Sequence, residues 1–96
     1  MTAYVIADVE VLDSAGYEAY RQQVPATIAA YGGRYVARGG ATEVLEGSWS
    51  PRRCVILEFA SMAQLKAWWD SPEYAKPRAL RRANSRARLI ILEGVS

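Results

Sequence analysis

Ninety-six residues, 51% of them hydrophobic, are enough for one domain with one core and leave no room for a second. Twelve basic against ten acidic side chains give a formal charge of +2, too small an excess to specify an anionic partner. The chain has no histidine and a single cysteine, Cys54, which excludes a Ser-His-Asp triad, a Cys-His pair, an imidazole metal site, a histidine-held haem and an intramolecular disulfide.

Residues 4–11 alternate, with Val5, Ala7, Val9 and Val11 on one face and Tyr4, Ile6, Asp8 and Glu10 on the other, which predicts a strand packed by helices on its valine face. Asp13 or Ser14 can cap the helix that follows, whose apolar stripe is Tyr17, Tyr20, Val24, Ile28 and Tyr31. Pro25 lacks an N–H and clashes one turn back, so a kink or a second helical segment is expected near Val24. Gly32-Gly33 supplies the C-cap. Residues 34–38 read as a second strand. Gly39-Gly40 is expected as a bulge or turn, after which Glu43-Val44-Leu45-Glu46 resumes strand character before a reversal at residues 47–51.

Residues 53–59 form the third predicted strand, with Val55, Leu57 and Phe59 facing one way and Cys54, Ile56 and Glu58 the other. Ser61-Met62-Ala63-Gln64 has capping-box spacing ahead of Leu65, Trp68 and Trp69. Ser71-Pro72-Glu73-Tyr74 restarts a helix, because serine caps, proline suits the first position and glutamate complements the positive end of the helix dipole. Residues 88–93 are the last strand. The same strand, helix, strand plan thus occurs twice, a βαββαβ order.

At Tyr31-Gly32-Gly33-Arg34-Tyr35-Val36-Ala37-Arg38-Gly39-Gly40, Val44-Leu45-Glu46-Gly47, Leu57-Glu58-Phe59 and Trp69-Asp70-Ser71-Pro72-Glu73-Tyr74, the chain closely resembles the DUF1330 family over almost its whole length. The resemblance implies a single domain over residues 1–96 with a ferredoxin-like α+β fold, a four-stranded antiparallel sheet of order 4-1-3-2, and pairing of two copies into a dimeric α+β barrel. The family carries no established function. Similar barrels include antibiotic-biosynthesis monooxygenases, haem-using relatives of chlorite dismutase and stress-responsive binding proteins. The basic run at residues 76–88 is more arginine-rich than the family leads one to expect.

If Val5/Ala7/Val9, Val55/Leu57/Phe59 and Ile90/Leu92 all face the helices, then Asp8, Glu58 and Glu93 share the opposite sheet face, with Arg38 or Arg34 on the next strand. Two readings stay open for them. They are a paired network lining a dimer interface, or they are crowded carboxylates with raised pKa values. In the second case Asp8 and Glu58 are the catalytic acid and base, and Arg38 stabilises an anion without any cofactor. Among the aromatic side chains, Trp68 and Trp69 are about a third of a turn apart, so one belongs to the core and one to a rim; Trp69 and Tyr74, with Arg38, are the candidate ligand-binding residues.

Arg78, Arg82 and Arg86 fall at i, i+4 and i+8, a solvated or ion-pairing face if helical. Nucleic acid is not the expected partner, since no aromatic residue lies within the stripe to stack on bases. Neither glycine pair makes a phosphate loop, no metal or cofactor site is expected, and Cys54 reads as an inert buried thiol. No stretch reaches the ~18 apolar residues of a membrane span, and a lone cysteine suits a reducing, cytoplasmic setting. The expectation is a homodimer binding a small organic molecule; the rival is a non-catalytic module whose barrel is filled by side chains. Cavity volume separates the two.

Overall fold

In the computed structural model, which describes residues 1–96, alternation in the first strand becomes burial: Ala3, Val5, Ala7 and Val9 of β1 (Ala3–Val11) lie beneath the helices while Tyr4, Ile6, Asp8 and Glu10 stay partly exposed. Asp13 caps α1 (Ser14–Ala30), its carboxylate accepting from the N–H groups of Ala15 and Gly16. The second helical segment expected at Pro25 does not form, and α1 is continuous through it. Val24, Thr27 and Ile28 are buried on either side of the proline, so tertiary packing offsets the hydrogen bond that the ring removes.

Gly32, at φ 75°, closes α1 as a paired C-cap: its N–H donates to the Ala29 carbonyl and that of Gly33 to Ile28. Gly33 is required for another reason, since a Cβ there would lie 2.5 Å from the Phe59 ring. β2 (Arg34–Arg38) pairs antiparallel with β3 (Cys54–Phe59), β3 with β1, and β1 with β4 (Ser85–Glu93), giving the order β2-β3-β1-β4. Strand character does not resume at residues 43–46. They belong to an exposed connection between β2 and β3 and pair with no strand of the sheet.

Ser61 caps α2 (Met62–Trp69) by accepting from the Gln64 N–H, but the Gln64 side chain reaches to the Tyr31 carbonyl at the end of α1. Ser71 caps α3 (Pro72–Asn84), with Pro72 in its first turn, as the Ser-Pro-Glu signal predicts. Tyr74 is fully buried, its ring 4.1 Å from that of Trp68. Trp68 is core and Trp69 is rim. The Trp68 indole donates to the Thr27 hydroxyl at 3.1 Å, which donates in turn to the Val24 carbonyl at 2.8 Å, so no polar atom of this trio is buried unpaired.

Two strands depart from the expected parity. In β4 the register pairs Val5 with Ile91 and Ala7 with Leu89, so Leu89 and Ile91, not Ile90 and Leu92, share the helix side, and Glu93, opposite Ala3, leaves the face of Asp8 and Glu58. In β2 the register slips between Tyr35 and Ala37, so Arg34 stands opposite Glu58 but Arg38 opposite Val55. The bulge therefore belongs at Val36, and it turns Arg38 to the helix side. The arginine stripe is broken as well, since α3 ends at Asn84 and places Arg86 in β4.

Candidate functional site

The three-way cluster of Asp8, Arg38 and Glu58 does not form. Asp8 lies opposite Cys54 and Glu58 opposite Tyr4, four rungs or about 13 Å apart along the sheet, and Arg38 has left their face. Each carboxylate instead has its own partners. Asp8 accepts from the Trp49 indole at 3.1 Å, the Arg52 backbone N–H at 2.9 Å and Arg88 at 3.3 Å. Glu58 accepts from Arg34 at 2.8 Å. The Trp49 and Arg52 hydrogen bonds hold the Asp8 carboxyl below its ordinary pKa, and the Arg34 and Tyr4 contacts do the same for Glu58. A general base working near neutrality needs a shift in the opposite direction. No group of three or more His, Cys, Asp or Glu side chains is arranged to hold a metal ion.

The opposite side of the sheet holds a cavity of about 120 Å³ between the strands and helices α1 and α3. Val5, Ala7, Val9, Val55 and Leu57 form its floor. Tyr17, Tyr20, Tyr35, Trp68 and Tyr74 form its walls, each placed by a feature already described: the stripe of α1 carries the first two, the bulged strand the third, and the two capped helices the last pair. Arg38, Arg53 and Arg81 line it too, together with the surface pair Arg21 and Glu18, 3.0 Å apart. Of the expected ligand-binding residues, Arg38 and Tyr74 meet here. Trp69 does not; it faces a separate groove with Leu65, Ile90 and Ile91, and Arg78 lies 5.2 Å above its ring.

Inside the cavity the polar groups form a short chain. Arg81 Nε donates to the Tyr74 hydroxyl at 3.4 Å, and the Tyr74 and Tyr20 hydroxyls are 3.1 Å apart. With Tyr74 accepting from Arg81 and donating to Tyr20, the Tyr20 proton is free to point into the cavity. Burial, and next to it the Tyr74 phenol, pushes the Tyr20 hydroxyl far above its ordinary pKa, and burial raises Tyr35 as well. Both remain protonated donors at neutral pH. Arg38 lies 4.7 Å over the Tyr35 ring and Arg53 5.7 Å from that of Tyr17. Gly39, at φ 68°, lets Arg53 in, since a Cβ there would come within 2.3 Å of the Arg53 guanidinium.

Sequence reasoning missed Arg53 and Arg81. Arg81 lies one residue off the i, i+4 stripe, and that offset is the available signal for an inward direction. Arg53 looks like an ordinary strand start, and only the contact with Gly39 reveals its place.

The chain matches the family model described as "Domain of unknown function (DUF1330)" over residues 2–95, and it belongs to that family. No match was found among curated proteins. Among solved structures it is similar to a protein of unknown function from Rhodopseudomonas palustris, with 20% identity, TM-score 0.81, and coverage of 99% of this chain and 83% of that one. It is also similar to SnoaB, a cofactor-independent oxygenase from Streptomyces nogalater, with 12% identity, TM-score 0.69, and coverage of 99% and 94%. A dimeric ferredoxin-like protein of unknown function from Jannaschia sp. CCS1 aligns with 15% identity, TM-score 0.67, and coverage of 98% and 100%. At these identities the likeness establishes the ferredoxin-like α+β fold.

Proposed function

We propose that this DUF1330 protein is a homodimer that binds a small organic molecule in the cavity between its sheet and helices α1 and α3. The observation that carries the reading is the cavity itself: a side-chain-filled module would leave no space of about 120 Å³ walled by five aromatic residues. The fold similarity to a protein described as a cofactor-independent oxygenase supports it. The donors in the cavity, guanidinium and phenol groups, are the kind that stabilise an anion. They support binding first, and any chemistry through them would be stabilisation of negative charge on the ligand. For Asp8 and Glu58 the partners and lowered pKa values favour the interface role over the acid and base roles. The lone thiol, Cys54, supports a reducing, cytoplasmic setting.

Dimerisation is supported by what the outer sheet face leaves bare. Ile90 and Leu92 are 60% and 51% exposed, and with Tyr4, Ile6 and Ile56 they form a contiguous apolar surface of the kind another sheet covers. The fold similarity to a dimeric ferredoxin-like protein points the same way. Sedimentation equilibrium at micromolar concentration should return twice the chain mass; a monomer would overturn the dimer.

Ligand-observed NMR against a panel of small aromatic and aliphatic compounds tests the binding reading. Compounds that bind wild-type protein should lose binding to Ala7→Phe, whose ring fills the floor of the cavity. Val55→Phe fills the same space from the neighbouring strand, should the first variant fold poorly. Unchanged binding to a folded, filled variant would overturn the site.

A further inference from the structure

Four guanidinium groups line this cavity, and its one carboxylate, Glu18, is paired with Arg21, which leaves three guanidinium groups without a counter-charge. The ion pairs of the molecule are Arg21 with Glu18, Arg34 with Glu58, Arg52 and Arg86 with Glu10, and Arg88 with Asp8. Arg38, Arg53 and Arg81 have none. Arg81 is only 5% exposed, and its protein partner is a neutral phenol at 3.4 Å. Arg53 Nε is the one buried side-chain nitrogen or oxygen with no hydrogen-bond partner. A buried cation without a counter-charge is strongly disfavoured, so a site with Arg81 buried, Arg53 half-buried and Arg38 at its exposed mouth, all around an apolar floor, is built for something negative.

We infer that the ligand of the cavity is a single-ring aromatic carboxylate, its ring on the Val5/Ala7/Val9/Val55/Leu57 floor and its carboxylate among Arg81, Arg53 and the Tyr20 hydroxyl. The inference rests on the proposed cavity site and names its ligand class. Size argues for one ring: the cavity is of the order of the ~150 Å³ apolar cavity that accepts benzene, and a fused ring system would exceed it. Charge argues for a monoanion. Arg81 is the one guanidinium withdrawn almost wholly from water, whereas Arg38 is exposed at the mouth, so a single negative charge neutralises the buried excess and a second would itself be buried unpaired. The planar fork of arginine suits a carboxylate, and the flat ring suits walls made of Tyr17, Tyr35 and Trp68.

The test is calorimetric titration of the full chain with benzoate, benzamide, acetate, phenyl phosphate and 2-naphthoate. Benzoate should bind at least tenfold more tightly than each of the others. Arg53→Gln and Arg81→Gln should each weaken benzoate at least tenfold while changing benzamide less than twofold. Arg53 reads the charge should Arg81→Gln fail to fold. Benzamide binding as well as benzoate would overturn the anionic class and leave the cavity site standing. Acetate as tight as benzoate would overturn the ring, phenyl phosphate tighter than benzoate would overturn the monoanion, and 2-naphthoate tighter than benzoate would overturn the single ring. Benzoate binding unaltered in folded Ala7→Phe would overturn the cavity site itself. Absence of benzoate binding would overturn the ligand class, and the wider compound panel would still decide the site.

Discussion

On the outer face of the sheet Arg34, Arg52, Arg86 and Arg88 each sit between 2.8 and 3.8 Å from a carboxylate, whereas on the helix side Arg38, Arg53 and Arg81 line one cavity and form no ion pair, Glu18 at that cavity being paired with Arg21. The two faces belong to the same four strands, and what separates them is where the carboxylates fall. Asp8, Glu10 and Glu58 all stand on the outer face, while the one carboxylate at the cavity, Glu18, is held by Arg21. Exposed pairs of the outer kind are individually worth little, but together they leave that face close to neutral, and a second sheet can cover it without burying a lone charge. The cavity keeps its excess positive charge, which favours an anion over any further protein surface.

The comparison breaks most severely at Tyr74, which anchors the inner wall. Tyr74→Ala removes a fully buried ring stacked on Trp68 and should cost about 3–5 kcal/mol in urea denaturation. Tyr74→Phe keeps the ring and deletes the hydroxyl between Arg81 and Tyr20, at about 1 kcal/mol. A Tyr74→Ala loss no larger than that of Tyr74→Phe would mean that the ring is not packed as described.

Arg81→Met sharpens the comparison, because the two faces predict opposite signs. A paired charge that is removed leaves its partner stranded; an unpaired buried charge replaced by an apolar side chain relieves a penalty. Ligand-free Arg81→Met should therefore be as stable as wild type or more stable by about 1–2 kcal/mol, and should lose benzoate binding. A clear loss of stability would mean that Arg81 is a structural group. Gly39→Ala should have a smaller effect: about 1 kcal/mol for forcing a side chain into the left-handed region, with weaker benzoate binding because the Arg53 guanidinium is displaced. Unchanged benzoate affinity would remove Arg53 from the site.

How far the sequence leads depends on whether a local pattern or a partner sets each feature. The caps at Asp13, Ser61 and Ser71, the glycine stop at Gly32 and the alternation of β1 are local, and they appear where the residues put them. Leu89-Ile90-Ile91-Leu92 is an unbroken apolar run with no parity of its own, so only its pairing with β1 decides which residues face the helices. Arg34 to Arg38 reads as a plain strand, yet one residue of bulge at Val36 moves Arg38 across the sheet, and no glycine or proline within the segment announces it. The outer-face set of Asp8, Glu58, Glu93 and Arg38 depended on both registers, Glu93 on that of β4 and Arg38 on that of β2. Two of the three expected ligand-binding residues, Arg38 and Tyr74, still line the cavity, because aromatic and basic side chains were chosen for their chemistry and not for the face they reach.

The smallest effects belong to the outer face and are read by acid. Asp8 and Glu58 are both held below their ordinary pKa values of 3.8 and 4.5, the first chiefly by the Trp49 and Arg52 hydrogen bonds, the second chiefly by Arg34. A carboxyl whose pKa is lower in the folded than in the unfolded state binds fewer protons when folded, so its contribution to stability is present above the unfolded value and is lost as pH falls through the folded one. The melting temperature should thus be insensitive to these two groups near neutrality and should decline on acidification below about pH 4.5. Asp8→Asn and Glu58→Gln should each flatten part of that decline, while Glu43→Gln, in the exposed connection between β2 and β3, should leave it unchanged. Benzoate binding by the two outer-face variants should stay within twofold of wild type at neutral pH, since neither side chain lines the cavity. A tenfold loss of benzoate binding in Asp8→Asn would join the two faces into one site and undo the division between paired structural charge and unpaired ligand-seeking charge.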